Sequence, residues 1–244
     1  MKRAIVFGAT GGIGQAICRD LAEDGWSLYL HYNSKKEAAE ELGQKLFTKY
    51  PDQDFMPIKL DFEVDDAQLS EFVQNLLPVN AAVFAQGVTN YGFLGDEDLD
   101  NITRLIKINL TVPIKLTKLL EPQLMKQGFS RIVYLGSVYG GYGSALESVY
   151  SATKGGLSRF AQAYAREVAS NNLTVNVIAP GAVKTNMNSI FSEDTIEEVQ
   201  EEIPVGRWAD GKDISYWIKV LLNERSSYPV SYTHLRAHET LSDV

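Results

Sequence analysis

Tyr150-Ser151-Ala152-Thr153-Lys154 sets a phenol and an ammonium four residues apart. On a helix that spacing puts both side chains on one face. A phenol ordinarily titrates near ~10, too high for ready proton exchange at neutral pH. A neighbouring ammonium favours the phenolate, so the pair suits an acid/base role. The spacing alone decides little. Twelve tyrosines and fourteen lysines in 244 positions give about 0.7 such pairs by chance, and Tyr32 with Lys36 is a second one. Company separates them. Thirteen residues before Tyr150, just past an apolar run, stands Ser137 in Leu135-Gly136-Ser137-Val138, whereas the same offset from Tyr32 gives Arg19. A hydroxyl beside a phenol can hold a carbonyl oxygen for protonation.

A second constellation lies near the start. Gly8-Ala9-Thr10-Gly11-Gly12-Ile13-Gly14 follows the apolar run Ala4-Ile5-Val6-Phe7 and opens a helical pattern. A dinucleotide pyrophosphate needs close backbone approach and the positive end of a helix. Glycine supplies the turn and lacks the Cβ that would block it. The spacing is Gly-x3-Gly-x-Gly, and an ordinary glycine-rich turn is the plainer alternative. The next apolar run ends in Leu30-His31-Tyr32-Asn33-Ser34-Lys35 with no acid to receive a ribose 2′-hydroxyl. Asn33, Ser34 and Lys35 suit the 2′-phosphate of NADP, with NAD still possible and a solvated loop as the alternative. Asp61, followed by Phe62, either accepts from an adenine amino group or caps the next helix.

The elements that must position these residues follow from periodicity. Ala4–Phe7, Leu28–Leu30, Phe55–Leu60, Ala81–Ala85, Ile132–Leu135 and Val175–Ile178 are short runs apolar on both faces of the pleat. That is the pattern of parallel strands covered by helices on both sides. Between them lie helical stripes: Ile13, Ala16, Ile17 and Leu21; Ala38, Leu42 and Leu46; Leu99, Ile102, Ile106 and Leu110; Leu157, Phe160, Ala161 and Tyr164. Pro113 marks a kink or a helix start. The alternation predicts an α/β fold, a doubly wound parallel sheet, as one domain over residues 1–229. Asn186 to Ser189 and the acidic run from Glu193 to Glu202 read as a polar, solvated lid.

Composition narrows the function classes. With 45% hydrophobic and 22% charged residues the chain can bury a sizeable core. The net charge of −8 argues against a nucleic-acid partner. No stretch approaches the ~18 apolar residues of a membrane span. The single cysteine, Cys18, forms no internal disulfide, which fits the cytoplasm. His234 and His238 stand four apart without a third ligand at a recognisable spacing, so no metal site is expected.

These motifs, in this order, resemble the short-chain dehydrogenase/reductase family from about residue 3 to residue 228. The matching positions are Gly8, Gly12, Gly14, Asp61, Asn109, Ser137, Tyr150 with Lys154, and Pro180-Gly181 followed by Thr185. The resemblance implies a Rossmann fold and an oxidoreductase using NADP(H) in preference to NAD(H). It makes Tyr150 the acid/base, Ser137 the group orienting the carbonyl oxygen, and Lys154 the holder of the nicotinamide ribose and the group lowering the Tyr150 pKa. Asn109 then supports a water in the proton relay, and Val183 and Thr185 meet the nicotinamide amide. Ala85 and Gly87 join the cofactor pocket. The family also implies a homotetramer built through the helices carrying Asn109 and Tyr150.

Three departures stand out. The family's Asn-Asn-Ala-Gly appears as Phe84-Ala85-Gln86-Gly87, with only the glycine kept. The basic residue frequent before the second glycine of NADP-dependent members is here Gly11. The usual seventh strand with its Asp-Gly signature is missing or degenerate, and residues 230–244 read as an atypical tail foreign to the fold. Within the family the chain resembles 3-oxoacyl-(acyl-carrier-protein) reductases and the reductases of the 5-aminopentanone modification on elongation factor P. The arginines that dock the acidic carrier protein correspond to Gly128 and Asn171, with Lys126, Arg131 and Arg166 nearby. Glu147 either favours an amine-bearing substrate or is a solvated or capping residue. Phe93, Tyr139 and Tyr142 are candidates for the substrate pocket, with core packing or exposure as the alternative. A dinucleotide sensor without turnover is the reading of another class, but a sensor has no need of Asn109, Ser137, Tyr150 and Lys154 together.

Overall fold

A computed structural model describes residues 1–185, 193–228 and 233–234. Six strands form one parallel sheet: β1 (Arg3–Phe7), β2 (Ser27–Tyr32), β3 (Phe55–Lys59), β4 (Ala81–Phe84), β5 (Ser130–Leu135) and β6 (Leu173–Ile178). A two-residue β7 (Thr233–His234) pairs in parallel with Val177 and Ile178. The spatial order is β3-β2-β1-β4-β5-β6-β7, which reverses direction between β1 and β4. At such a reversal the crossover connections leave to opposite sides and open a crevice at the strands' carboxyl ends. Every predicted strand is present, four longer than their apolar runs and two, β3 and β4, one residue shorter. Thr233–His234 is the part of a seventh strand that the described residues include. The rest of residues 230–244, and Asn186 to Ser189, lie outside the described residues.

Alternation along each strand divides the core. Ala4, Val6, Leu28, Leu30, Val83 and Val133 face α1 (Gly12–Glu23), α2 (Lys36–Lys49) and α8 (Gly211–Leu222). Ile5, Phe7, Tyr29, Phe84, Ile132 and Tyr134 face α3 (Asp66–Gln74), α5 (Val112–Leu124) and α6 (Ser148–Val168). Burial on both faces is why these runs are apolar throughout rather than alternating. α4 (Leu99–Ile106) and α7 (Glu193–Glu202) complete the set. Among the described residues no helix is long and apolar enough to cross a membrane.

Two stripes need correction. Ala39, not Ala38, is the buried alanine of α2. On α4, Leu105 is buried while Leu99 and Ile106 are exposed, 78% and 40% respectively. The face of α4 that packs inward is thus the one carrying Leu105. A π-turn over Lys107–Thr111 then joins α4 to α5, and its wider turn shifts the 3.6-residue phase beyond it. Pro113 follows that turn as the second residue of α5 and brings no N–H to the continuous helix there.

Candidate active site

The chain leaves β1, β4, β5 and β6 at one edge of the sheet, and those exits line a cleft of about 450 Å³. At the β1 exit Gly8 has φ +79°, and a Cβ there would lie 2.8 Å from the Gln86 nitrogen. A Cβ on Gly14 would lie 2.0 Å from the Gly8 oxygen. Only glycine fits either position, so the motif brings α1 down onto the strand end. No side chain caps α1, and Gly11, Gly12, Ile13 and Gly14 line the cleft. An uncapped helix N-terminus opening on a cleft is a ready anion site, which is the fit a dinucleotide diphosphate requires. Gly8 and Thr10 shape the turn from behind and do not line the cleft.

His31 holds this turn. Its Nδ1 accepts from the Gly8 N–H at 3.0 Å, and its Nε2 donates to the Leu60 carbonyl at 2.9 Å. Burial pushes its pKa down to about 4, so the ring stays neutral with the proton on Nε2. The imidazole thereby ties the glycine turn to the ends of β2 and β3. Beyond it, Asn33 and Lys35 line the cleft from exposed positions, while Ser34 does not. Asp61 lines the cleft and accepts from the Glu63 N–H at 2.9 Å, closing a local turn. The cap of α3 is instead Asp65, in a capping box with Gln68. Phe62 is buried and also lines the cleft. Ala85, Gly87, Pro180, Gly181, Val183 and Thr185 line the middle and far wall.

The candidate catalytic groups converge at the other end. Tyr150 and Lys154 lie in the first two turns of α6. Ser137 follows β5, and its Oγ accepts from the Tyr139 N–H at 3.2 Å. All three line the cleft. The Tyr150 phenol is pushed up to about 12, chiefly by burial; its hydrogen bond with Ser137 works the other way, and the Glu147 carboxylate adds to the rise. At neutral pH it is a protonated phenol, able to donate. Lys154 is buried and pushed down to about 8 by desolvation. Its Nζ donates to the Leu135 carbonyl at 2.8 Å and sits 5.6 Å from the Tyr150 ring centroid. Ser137 draws the phenol pKa down, while Lys154 is itself desolvated and donates to the β5 carbonyl.

Asn109 sits in the π-turn, buried and off the cleft wall. Its Oδ1 accepts from the Val88 N–H at 2.9 Å and its Nδ2 donates to the Val88 carbonyl at 2.7 Å. The side chain thus clamps the loop after β4 behind Lys154. The alternative pair behaves as chance would have it: Tyr32 ends a strand, and Lys36 opens α2 and pairs with Glu40. Of the aromatic candidates, Tyr139 lines the cleft; Phe93 is 71% exposed and Tyr142 is also exposed, and neither lines it. Tyr91 and Trp208 line it instead. Trp208 donates to the Ile196 carbonyl at 3.1 Å, fastening α7 over the opening. Neither Trp208 nor His31 carried a local sequence signal, because their importance comes from long-range contacts.

A family model described as short chain dehydrogenase matches residues 2–195. The chain belongs to this family. It is therefore an NAD(P)-dependent oxidoreductase. This short-chain dehydrogenase is 34% identical over 227 residues to the uncharacterized oxidoreductase YmfI of Bacillus subtilis (strain 168), covering 93% of each chain. It is 31% identical over 231 residues to 3-oxoacyl-(acyl-carrier-protein) reductase FabG of Salmonella typhimurium, covering 93% of this chain and 92% of the relative. Its fold superposes on an actinorhodin polyketide ketoreductase solved with NADPH at a TM-score of 0.86, with 22% identity, covering 95% and 94% of the two chains.

Proposed function

We propose that this short-chain dehydrogenase is an NADPH-dependent carbonyl reductase of the 3-oxoacyl-(acyl-carrier-protein) reductase type. The observation that carries the reading is the meeting of Ser137, Tyr150 and Lys154 in one cleft whose other end is the uncapped N-terminus of α1. The dinucleotide supplies the hydride when bound. Ser137 holds the carbonyl oxygen beside the phenol. Tyr150 gives that oxygen its proton. Lys154 has donors beyond its single bond to Leu135 for ribose hydroxyls. Pro180, Gly181, Val183 and Thr185 form the wall against which the nicotinamide rests. Asn33 and Lys35, with no acid beside them, favour the 2′-phosphate of NADP. The exposed Leu99 and Ile106 on the α4 side support a homo-oligomer.

A second reading has its own observation. Leu146 is held at φ +65°, a left-handed conformation unusual for leucine, immediately before Glu147. Glu147 lines the cleft near Tyr150, where its carboxylate accepts from the Thr89 hydroxyl at 2.7 Å. A carboxylate on the substrate side favours a carbonyl compound bearing a cationic amine, such as the 5-aminopentanone group on elongation factor P. The carrier-docking positions lean the same way. Arg131 is buried and spends its guanidinium on the carbonyls of Ser130, Asn172, Asn223 and Glu224, so it is not available to an acidic carrier.

The test is NADPH and NADH oxidation with 3-oxoacyl thioesters, neutral diketones and aminoketones. Turnover with NADPH exceeding that with NADH, and a shift toward NADH in Asn33→Asp, is the expected result. Preference for aminoketones, lost in Glu147→Gln, selects the second reading. No turnover of any carbonyl with either cofactor overturns both.

A further inference from the structure

Glu147 directly precedes α6, the place where a carboxylate ordinarily caps a helix by accepting from its first free N–H groups. Here it makes no such bond. Its Oε1 accepts instead from the Thr89 hydroxyl, at 2.7 Å, in the loop after β4. Among the described residues that hydroxyl is the carboxylate's one partner. Both residues line the cleft, and the second carboxylate oxygen has no partner there. The backbone around Glu147 is pinned as well. The Gly92 N–H donates to the Leu146 carbonyl at 2.9 Å, and the Ser144 N–H donates to the Ser151 hydroxyl at 3.1 Å. Between them Leu146 is kept at φ +65°. A non-glycine residue in that region is strained and persists only where its surroundings over-determine it.

Charge sets this end of the cleft apart. Lys35 and Arg104 line the end marked by Asn33 and Asp61, where Arg104 pairs with Glu63 at 3.2 Å. At the Tyr150 end the cation is Lys154, which donates to the Leu135 carbonyl and not to Glu147. Tyr91 and Tyr139 also line the cleft, two residues beyond Thr89 and Ser137, and aromatic faces attract cations. A carboxylate with one oxygen fixed by a hydroxyl and the other unpartnered is preorganised for a cationic donor. Without the hydroxyl it would regain its rotamers and could turn to the N–H groups of the helix it precedes.

We infer that Thr89 is a positioning residue for substrate selection: its hydroxyl keeps the Glu147 carboxylate off the helix cap and in the cleft, where it receives the cationic amine of the substrate. The inference rests on the reading that this enzyme takes amine-bearing carbonyl compounds, and it names the residue that enforces that choice.

The experiment compares the full chain with Thr89→Val and Thr89→Ser. Valine keeps the shape and removes the donor, whereas serine keeps the donor. The readouts are kcat and KM with NADPH for para-(aminomethyl)acetophenone, whose amine cannot close onto its own ketone, and for para-ethylacetophenone, its neutral isostere. The unaltered chain is expected to favour the amine. Thr89→Val should lower that preference in kcat/KM roughly three- to ten-fold, through a higher KM for the amine. Thr89→Ser should restore most of it. An unchanged preference in Thr89→Val overturns the inference. So do equal losses with both ketones, a serine variant as impaired as the valine one, or a fall in NADPH affinity in Thr89→Val, since each marks a structural role. An unaltered chain with no preference for the amine would instead overturn the reading of the substrate itself.

Discussion

At the scale of single residues, Tyr150 and Lys154 are displaced in opposite directions by the same cause. Burial penalises the charged form of each, raising the phenol and lowering the ammonium. The phenol is thus kept in the form that can give up a proton during reduction. Tyr150→Phe is expected to cut reduction by ~10²- to 10⁴-fold while leaving the NADPH dissociation constant within about two-fold. Tyr32→Phe, which alters the alternative tyrosine, should leave turnover near normal. Steady-state rates and cofactor titration on both variants check this. Lys154 makes a prediction about stability. Its folded pKa of about 8 lies below the 10.5 of an unfolded lysine, so between those values the unfolded chain binds the extra proton. The cost of burying its charge is complete below pH 8 and is relieved as pH rises through 8 toward 10.5. The cofactor-free protein should therefore gain stability from pH 7.5 to 9.5 relative to Lys154→Met. Urea titration of both across that range would settle the sign, and parallel profiles would count against it.

At the scale of elements, the glycine turn does not stand alone. Gly8 takes a left-handed conformation because its N–H reaches His31, which in turn reaches Leu60. One neutral ring thereby joins three strand ends that the cleft needs in register. Replacing it by phenylalanine strands a buried N–H and a buried carbonyl, a loss of about 2–4 kcal/mol. The sign with pH is also set. The folded pKa of about 4 lies below the ordinary 6.5, so this group's contribution is present above pH 6.5 and lost as pH falls toward 4. His31→Phe should lower the unfolding free energy at pH 7 and flatten its decline between pH 6.5 and 4. Chemical denaturation at several pH values reads both effects. The π-turn does a comparable job, aiming Asn109 inward to clamp Val88.

At the scale of the whole molecule, β7 forms one edge of the sheet and, among the described residues, pairs with Val177 and Ile178 of β6. A sheet edge offers backbone groups to other chains. α8, which packs beside that edge, exposes Tyr216 and Trp217. We propose that residues 230–244 are foreign to the fold, on the evidence of their composition. Replacing that tail with an alternating apolar strand closed by Asp-Gly should raise the melting temperature by several degrees and reduce aggregation. Calorimetry and light scattering on the two proteins provide the check. An unchanged melting temperature would remove the idea.

The sequence by itself determined the sheet and most of the site. Doubly apolar runs can only be strands covered on both faces, and Gly8, Gly14, Ser137, Tyr150 and Lys154 announce themselves by spacing along single elements. What it left open was whatever depends on residues far apart in the chain meeting. On α4 the inward face carries Leu105 rather than Leu99 and Ile106, and the π-turn at Lys107–Thr111 shifts the helical phase beyond it. Asn109 is legible in the chain through the resemblance, but the bonds of its amide to Val88 appear only in the fold. Arg131 reads as a docking cation but is buried against carbonyls of Asn223 and Glu224, some ninety residues away. The Tyr150 pKa was expected to fall because a lysine is four residues off. Burial works against that fall, and burial is a sum over neighbours that only the folded chain assembles.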